Sequence, residues 1–294
     1  MLTSIPIIAG LSQLAPRYDA LICDVWGVIH NGRETYPGIV DCLTRARAEK
    51  KIVLLLSNAP RPCESVKLQL ESFAVPRSCY DGVVTSGDLT QNLFAERTAN
   101  GRAFRVFHVG PDRDLPLFEG FPRVARVAFP HAEAIVCTGP FDDTKDGPED
   151  YRELWTRARA RALPLVCANP DLVVQRGDQL IYCAGALGKL YEEMGGEVHY
   201  LGKPHLPVYD FVADRLREIN GRTIDRTHWL AIGDGLKTDI LGADRAGIDA
   251  LLITGGVHEP ELSDATGAPD PNRITQILNR DGLKAVAAMR RLVW

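Results

Sequence analysis

The sequence predicts an α/β fold, built on a doubly wound parallel sheet with a second α/β unit inserted into it. Short apolar runs rich in β-branched residues alternate with helix-like stretches, the pattern of parallel strands joined by crossover helices. Five of these runs end abruptly in small or polar residues. The chain, at 294 residues, is also too long for one small core and suits one large domain or two of moderate size.

In chain order, residues 19–23 (Asp-Ala-Leu-Ile-Cys) form the first expected strand, followed at once by Asp24. Residues 52–56 end at Ser57-Asn58, residues 82–85 at Ser86-Gly87, residues 229–232 at Gly233-Asp234, and residues 250–253 at Thr254-Gly255-Gly256. In a Rossmann-like open sheet, ligands sit outside the carboxyl ends of the strands, so these terminators mark the expected site. Residues 101–197 read as a separate inserted unit with strands at 104–109, 134–137 and 164–167 and a helix at about 151–162. Residues 1–100 and 198–294 then make the core. An acidic loop, 142–150, is expected as a solvated turn capping the next helix rather than a cation site. The Pro-, Gly- and acid-rich stretch 257–272 is expected as a surface connection.

Charge and cysteine usage narrow the class of function. A net charge of −4 provides no basic face for nucleic acid or anionic lipid. Seven cysteines, an odd number without a CxxC pair, read as reduced core thiols rather than a disulfide framework. Residues 1–10 are apolar but carry no basic n-region and are interrupted by Pro6, so neither a signal peptide nor a membrane span is expected. A cytoplasmic protein follows as the expectation.

Several familiar motifs are absent. Gly233-Asp234-Gly235 is no dinucleotide fingerprint, because Thr238 stands where the third glycine belongs. Gly188-Lys189 lacks the flanks of a P-loop, no Gly-x-Ser-x-Gly elbow occurs, and the histidines are not spaced for zinc.

What does occur is an ordered set. Asp24-Val25-Trp26-Gly27-Val28 resembles the first motif of the haloacid dehalogenase superfamily, which opens with an aspartate nucleophile. Ser57-Asn58 is similar to the second, a phosphate-holding element, and Gly202-Lys203-Pro204-His205 to the third, a lysine that neutralises nucleophile and phosphate. Gly233-Asp234-Gly235-Leu236-Lys237-Thr238-Asp239 resembles the acidic fourth motif, which holds Mg²⁺. The insertion between the second and third motifs, with Asn169-Pro170-Asp171 and Gly185-Ala186-Leu187, resembles the large cap of the class IIA branch, whose members include phosphoglycolate, pyridoxal and sugar phosphatases. The likeness runs from about Tyr18 to Gly256.

The resemblance implies a phosphoric monoester hydrolase acting on a small phosphorylated metabolite through an aspartyl-phosphate. Asp24 and Lys203 are the expected catalytic residues, with Ser57, Asn58 and Lys203 holding phosphate. Asp24, Asp234 and the backbone carbonyl of Trp26 are the expected Mg²⁺ ligands, with Asp239 orienting them. His30 and Arg61 are secondary candidates, the first as a replacement acid and the second as a substrate contact. A dimer formed through the cap is a further family-level expectation. The chemistry is coherent without the family: an anionic nucleophile must have its charge offset before it approaches a phosphate, and a divalent cation with a lysine does that.

One position departs from the pattern. Family phosphatases place a second aspartate two residues after the nucleophile to protonate the leaving oxygen; here Trp26 stands there. Loss of such acid–base help costs about 10²–10⁴-fold. Slow turnover, a catalytically degenerate protein that binds or senses a phosphorylated metabolite, and a different hydrolase on the same scaffold all remain open at this point.

Overall fold

The computed structural model describes residues 5–176 and 179–294, so the first four residues of the N-terminal stretch lie outside it. The chain forms two compact units: residues 1–57, 67–84 and 209–294 make the first, and residues 58–66 and 85–208 the second. The strands are β1 (Ala20–Cys23), β2 (Ile52–Ser57), β3 (Gly82–Thr85), β4 (Phe104–Val109), β5 (Val124–Arg126), β6 (Ala134–Cys137), β7 (Leu165–Cys167), β8 (Val173–Arg176), β9 (Gln179–Tyr182), β10 (Val198–Tyr200), β11 (Trp229–Gly233), β12 (Asp249–Ile253) and β13 (Ala287–Met289).

The first unit carries a six-stranded sheet ordered β3-β2-β1-β11-β12-β13, with β1 parallel to both β2 and β11. This is the 3-2-1-4-5-6 order of a doubly wound sheet, and its switch point falls between β1 and β11. All four residues of β1 and all five of β11 are buried, as strands covered on both faces require. The expected strands 19–23, 52–56, 82–85, 229–232 and 250–253 are all present within a residue or so; β13 is an addition.

The second unit carries a five-stranded sheet ordered β5-β4-β6-β7-β10, a 2-1-3-4-5 arrangement with its own switch point between β4 and β6. Residues along β6 alternate between two apolar clusters. Ile135 and Cys137 face Trp155, Leu187 and Tyr191, whereas Ala134 and Val136 face Phe94, Phe104 and Leu117. Strands β8 and β9 form a separate antiparallel hairpin.

The expected boundaries at 100/101 and 197/198 need correction, because both fall inside the second unit. Phe94, on the helix Ser86–Thr98, packs into the cluster with Phe104 and Val106, and β10 pairs with β7. The stretch 257–272 is also more than a surface connection, since it contains the short helix Glu259–Leu262 with Leu262 fully buried. The acidic loop behaves as a turn: Asp150 accepts from Gly147 N–H at 2.8 Å and Asp142 accepts from Thr144 N–H at 3.0 Å. All seven cysteines are free, and burial pushes the Cys42 and Cys137 thiols up to about 12. Among the described residues no helix is long and apolar enough to cross a membrane.

His108 on β4 provides a pH test of the second unit. Its Nε2 lies 3.0 Å from Thr138 Oγ1, and burial, aided by Arg126, pushes its pKa down to about 4 from the ordinary 6.5. A folded value below the unfolded one means that the unfolded chain takes up the proton first. The stability that neutral His108 contributes is therefore intact above pH 6.5 and drains as pH falls towards 4. Denaturant unfolding followed from pH 7 to 4 is expected to show this loss; His108→Gln should flatten it.

Candidate active site

Asp24 begins where β1 ends, and its backbone N–H donates to Ile232 O on neighbouring β11 at 2.8 Å. Asp234 begins where β11 ends. The two carboxylates therefore stand at the switch point, where no crossover connection blocks the crevice between adjacent strand ends. Asp239 joins them from a single wide turn, Leu236–Ile240, in which both Asp239 N–H and Ile240 N–H donate to Gly235 O, at 2.9 and 3.1 Å. One carboxylate oxygen from each of Asp24, Asp234 and Asp239 lies within 4.8 Å of the others, and all three residues are buried.

Close backbone approach fixes this triad. Val257 N–H donates to Asp234 Oδ2 at 2.7 Å, and Gly235 N–H donates to Asp239 Oδ2 at 3.0 Å. A Cβ at Gly256 or Gly27 would collide with the Asp234 carboxylate, and one at Gly233 with Asp239. Gly27 is also at φ +88, where other residues are strained. The sequence marks Gly255-Gly256 only as the end of a strand; the need for bare backbone there comes from a partner more than twenty residues away. The donor set is all carboxylate oxygen, which suits a hard cation such as Mg²⁺ or Ca²⁺ and not a thiolate-seeking metal.

Ser57, buried, closes β2 beside Asp24: Leu55 is paired with Cys23, so both side chains follow adjacent strand ends. Trp26 sits in the turn after Asp24, where Gly27 N–H donates to His30 O at 2.9 Å. Its ring meets the His30 imidazole edge-on at 5.2 Å, and Phe73 also meets His30 edge-on at 5.0 Å. His30 is 1% exposed, and its Nδ1 accepts from Gly32 N–H at 3.0 Å. The imidazole thus holds the turn together.

Two residues that the motifs do not single out flank Asp234. Tyr36 lies in the field of Asp234, with the Arg291 guanidinium 4.0 Å from its ring centre and burial pushing its pKa up. Arg291 also donates to Gly255 O, in the loop that carries Gly256.

In the second unit, Asn58 and Lys203 come together across 145 residues. Lys203 N–H donates to Asn58 Oδ1 at 2.8 Å, and Asn58 Nδ2 donates to Lys203 O at 3.0 Å and to Asp171 Oδ1 at 2.9 Å. Both N–H groups of the Asn58 amide are thereby committed to protein partners, and the side chain positions Lys203. Both residues are 3% exposed. Asn58→Ala strips buried polar groups of their partners, so a loss of about 2–4 kcal/mol is expected from urea unfolding. Arg61, three residues on, is largely buried among charged groups of the second unit, and that burial pushes its pKa down.

A family model described as haloacid dehalogenase-like hydrolase matches residues 21–120, and a second, HAD-hydrolase-like, matches residues 200–279. A haloacid dehalogenase-like hydrolase from Brucella suis 1330 is 41% identical, with a TM-score of 0.85 over 98% of this chain and 100% of that one. The chain belongs to the haloacid dehalogenase-like hydrolases. A D-glycerol 3-phosphate phosphatase of Mycobacterium tuberculosis is 29% identical over 91% of this chain and 71% of that protein. A glycerol phosphate phosphatase from the same species, solved in complex with calcium, is 25% identical with a TM-score of 0.62, covering 83% of this chain and 68% of that one. These haloacid dehalogenase-like relatives are phosphatases of small phosphorylated compounds, in keeping with the class IIA placement drawn from the insertion.

Proposed function

We propose that this protein hydrolyses a small phosphomonoester through an aspartyl-phosphate on Asp24. The convergence of three buried carboxylates at the switch point carries the reading, because burying that much like charge is costly unless a cation neutralises it. Asp24, Asp234 and Asp239 fit a divalent cation, and Mg²⁺ is the natural occupant for a phosphate substrate. When bound, the cation would offset the negative charge of nucleophile and phosphate.

In this reading an Asp24 carboxylate oxygen attacks phosphorus, the P–O bond to the alcohol breaks, and the alkoxide leaves with a proton from water. Water then attacks the phosphoryl group, releasing phosphate and restoring Asp24. Ser57 donates to a phosphate oxygen, and Lys203, set by Asn58, supplies a fixed positive charge.

The test is Mg²⁺-dependent hydrolysis of p-nitrophenyl phosphate, whose phenolate needs little protonation. Wild type should turn it over, and Asp24→Asn should lower kcat by more than about 10³-fold. A full rate in Asp24→Asn would remove Asp24 as nucleophile. The second reading, a binding protein without turnover, is favoured by Trp26 standing where an acid belongs. Saturable metabolite binding with no hydrolysis of any phosphomonoester would establish it.

A further inference from the structure

Just beyond β12, Gly255 and Gly256 each leave out a side chain, and a charged group takes up the space. A Cβ at Gly256 would collide with the Asp234 carboxylate, and one at Gly255 would meet the Arg291 guanidinium carbon at 2.9 Å. Arg291 donates to Gly255 O, its guanidinium lies 4.0 Å from the centre of the Tyr36 ring, and its Nη2 is 3.8 Å from Glu259 Oε2. Strand β13 delivers it there: Thr254 N–H donates to Met289 O and Gly255 N–H to Arg290 O, both at 2.9 Å. Further along the loop, Glu259 N–H donates to Gly256 O at 3.1 Å, and Val257 N–H donates to Asp234 Oδ2 at 2.7 Å.

As an ion pair Arg291 would matter little, because partly exposed pairs contribute little to stability. Arg290 already serves Glu259 more closely, at 2.9 Å. What distinguishes Arg291 is the carbonyl it holds, two residues before the N–H that fixes Asp234. The Tyr36 ring limits the freedom of the guanidinium, since cations settle over an aromatic face. Charge works in the opposite direction. Arg291 and Asp234 both act on the Tyr36 hydroxyl, so the guanidinium lies in the neighbourhood of the carboxylates, where a fixed positive charge repels a divalent cation. The sign of the effect on cation affinity therefore separates the two roles. Loss of the guanidinium tightens binding if charge dominates and loosens it if positioning does.

We infer that Arg291 is a positioning residue for the divalent cation: it fixes loop 255–257, and the loop sets Asp234. This inference rests on the cation reading proposed above and adds to it a residue outside the four motifs.

The experiment titrates the full chain with Mn²⁺ alone, counting the free ion by electron paramagnetic resonance, so that no turnover is needed. Arg291→Met keeps an unbranched stem against Tyr36 but loses every donor, and should weaken binding about tenfold, the low end of the cost of removing a group that orients a metal ligand. Arg291→Lys retains a donor for Gly255 O and should recover part of that loss. It also keeps the test open should Arg291→Met fail to fold, because a site looser than wild type is expected there too. Arg290→Gln gives up the closer pair with Glu259 but leaves its backbone carbonyl in place, and should bind Mn²⁺ as wild type does. Unchanged or tighter binding in Arg291→Met, no recovery in Arg291→Lys, or an equal loss in Arg290→Gln would overturn the inference and leave the cation reading standing. No binding of Mn²⁺ by wild type would overturn both.

Discussion

Trp26→Asp is expected to raise turnover of alkyl phosphates by roughly 10²–10⁴-fold, the usual contribution of a positioned general acid. The aryl phosphate should gain far less, because its phenolate departs without a proton. The change removes an indole that packs against His30 and against the backbone at Gly32, where an added Cβ would press on the ring. A stability loss of about 1–2 kcal/mol should accompany the gain. The ratio of alkyl to aryl kcat, measured on folded protein, is therefore the decisive quantity. An unchanged ratio would mean that proton donation does not limit hydrolysis.

Gly256→Ala is expected to abolish Mg²⁺-dependent hydrolysis and to weaken metal binding by roughly 10–100-fold, an effect of the size seen when the groups orienting a metal ligand are removed. The backbone at Gly256 is not in the left-handed region, so alanine meets no torsional strain there. The obstacle is the Asp234 carboxylate, which occupies the space that the methyl group needs. Asp234 must then swing away from Asp24 and Asp239, and Val257 N–H loses its acceptor. Terbium luminescence titration would measure the affinity without any turnover. Unaltered terbium binding in Gly256→Ala would show that the loop yields easily and that Asp234 is held by other contacts.

Much of this site was legible in the sequence because of strand periodicity. Apolar runs that stop at Asp24, Ser57 and Asp234 place those side chains at carboxyl strand ends, and the order of the sheet then brings two of the three together. Asp239 needed more than periodicity, since only the wide turn at Leu236–Ile240 brings it back over Gly233. Asn58 shows the opposite case: its position in a motif was visible, but the claim that a backbone 145 residues away makes on its amide was not. Nor could local pattern locate β13, three short residues of Ala-Ala-Met, or β10, whose Val-His-Tyr has no buried face to mark it. The unit boundaries slipped because the helix Ser86–Thr98 follows a first-unit strand in sequence yet buries Phe94 in the second-unit cluster.

The central strand of the first sheet has a partner on each side, and they come from opposite parts of the chain: β2 ends at Ser57 and β11 begins at Trp229. During synthesis at about 5–20 residues per second, roughly 10–40 s pass after β1 emerges before β11 can dock beside it. For that interval one edge of a wholly apolar strand lies open to pairing with neighbouring nascent chains. Ribosomes stalled in the second unit should therefore display nascent chains that bind a holdase chaperone, and release of the tether after residue 233 should end that capture.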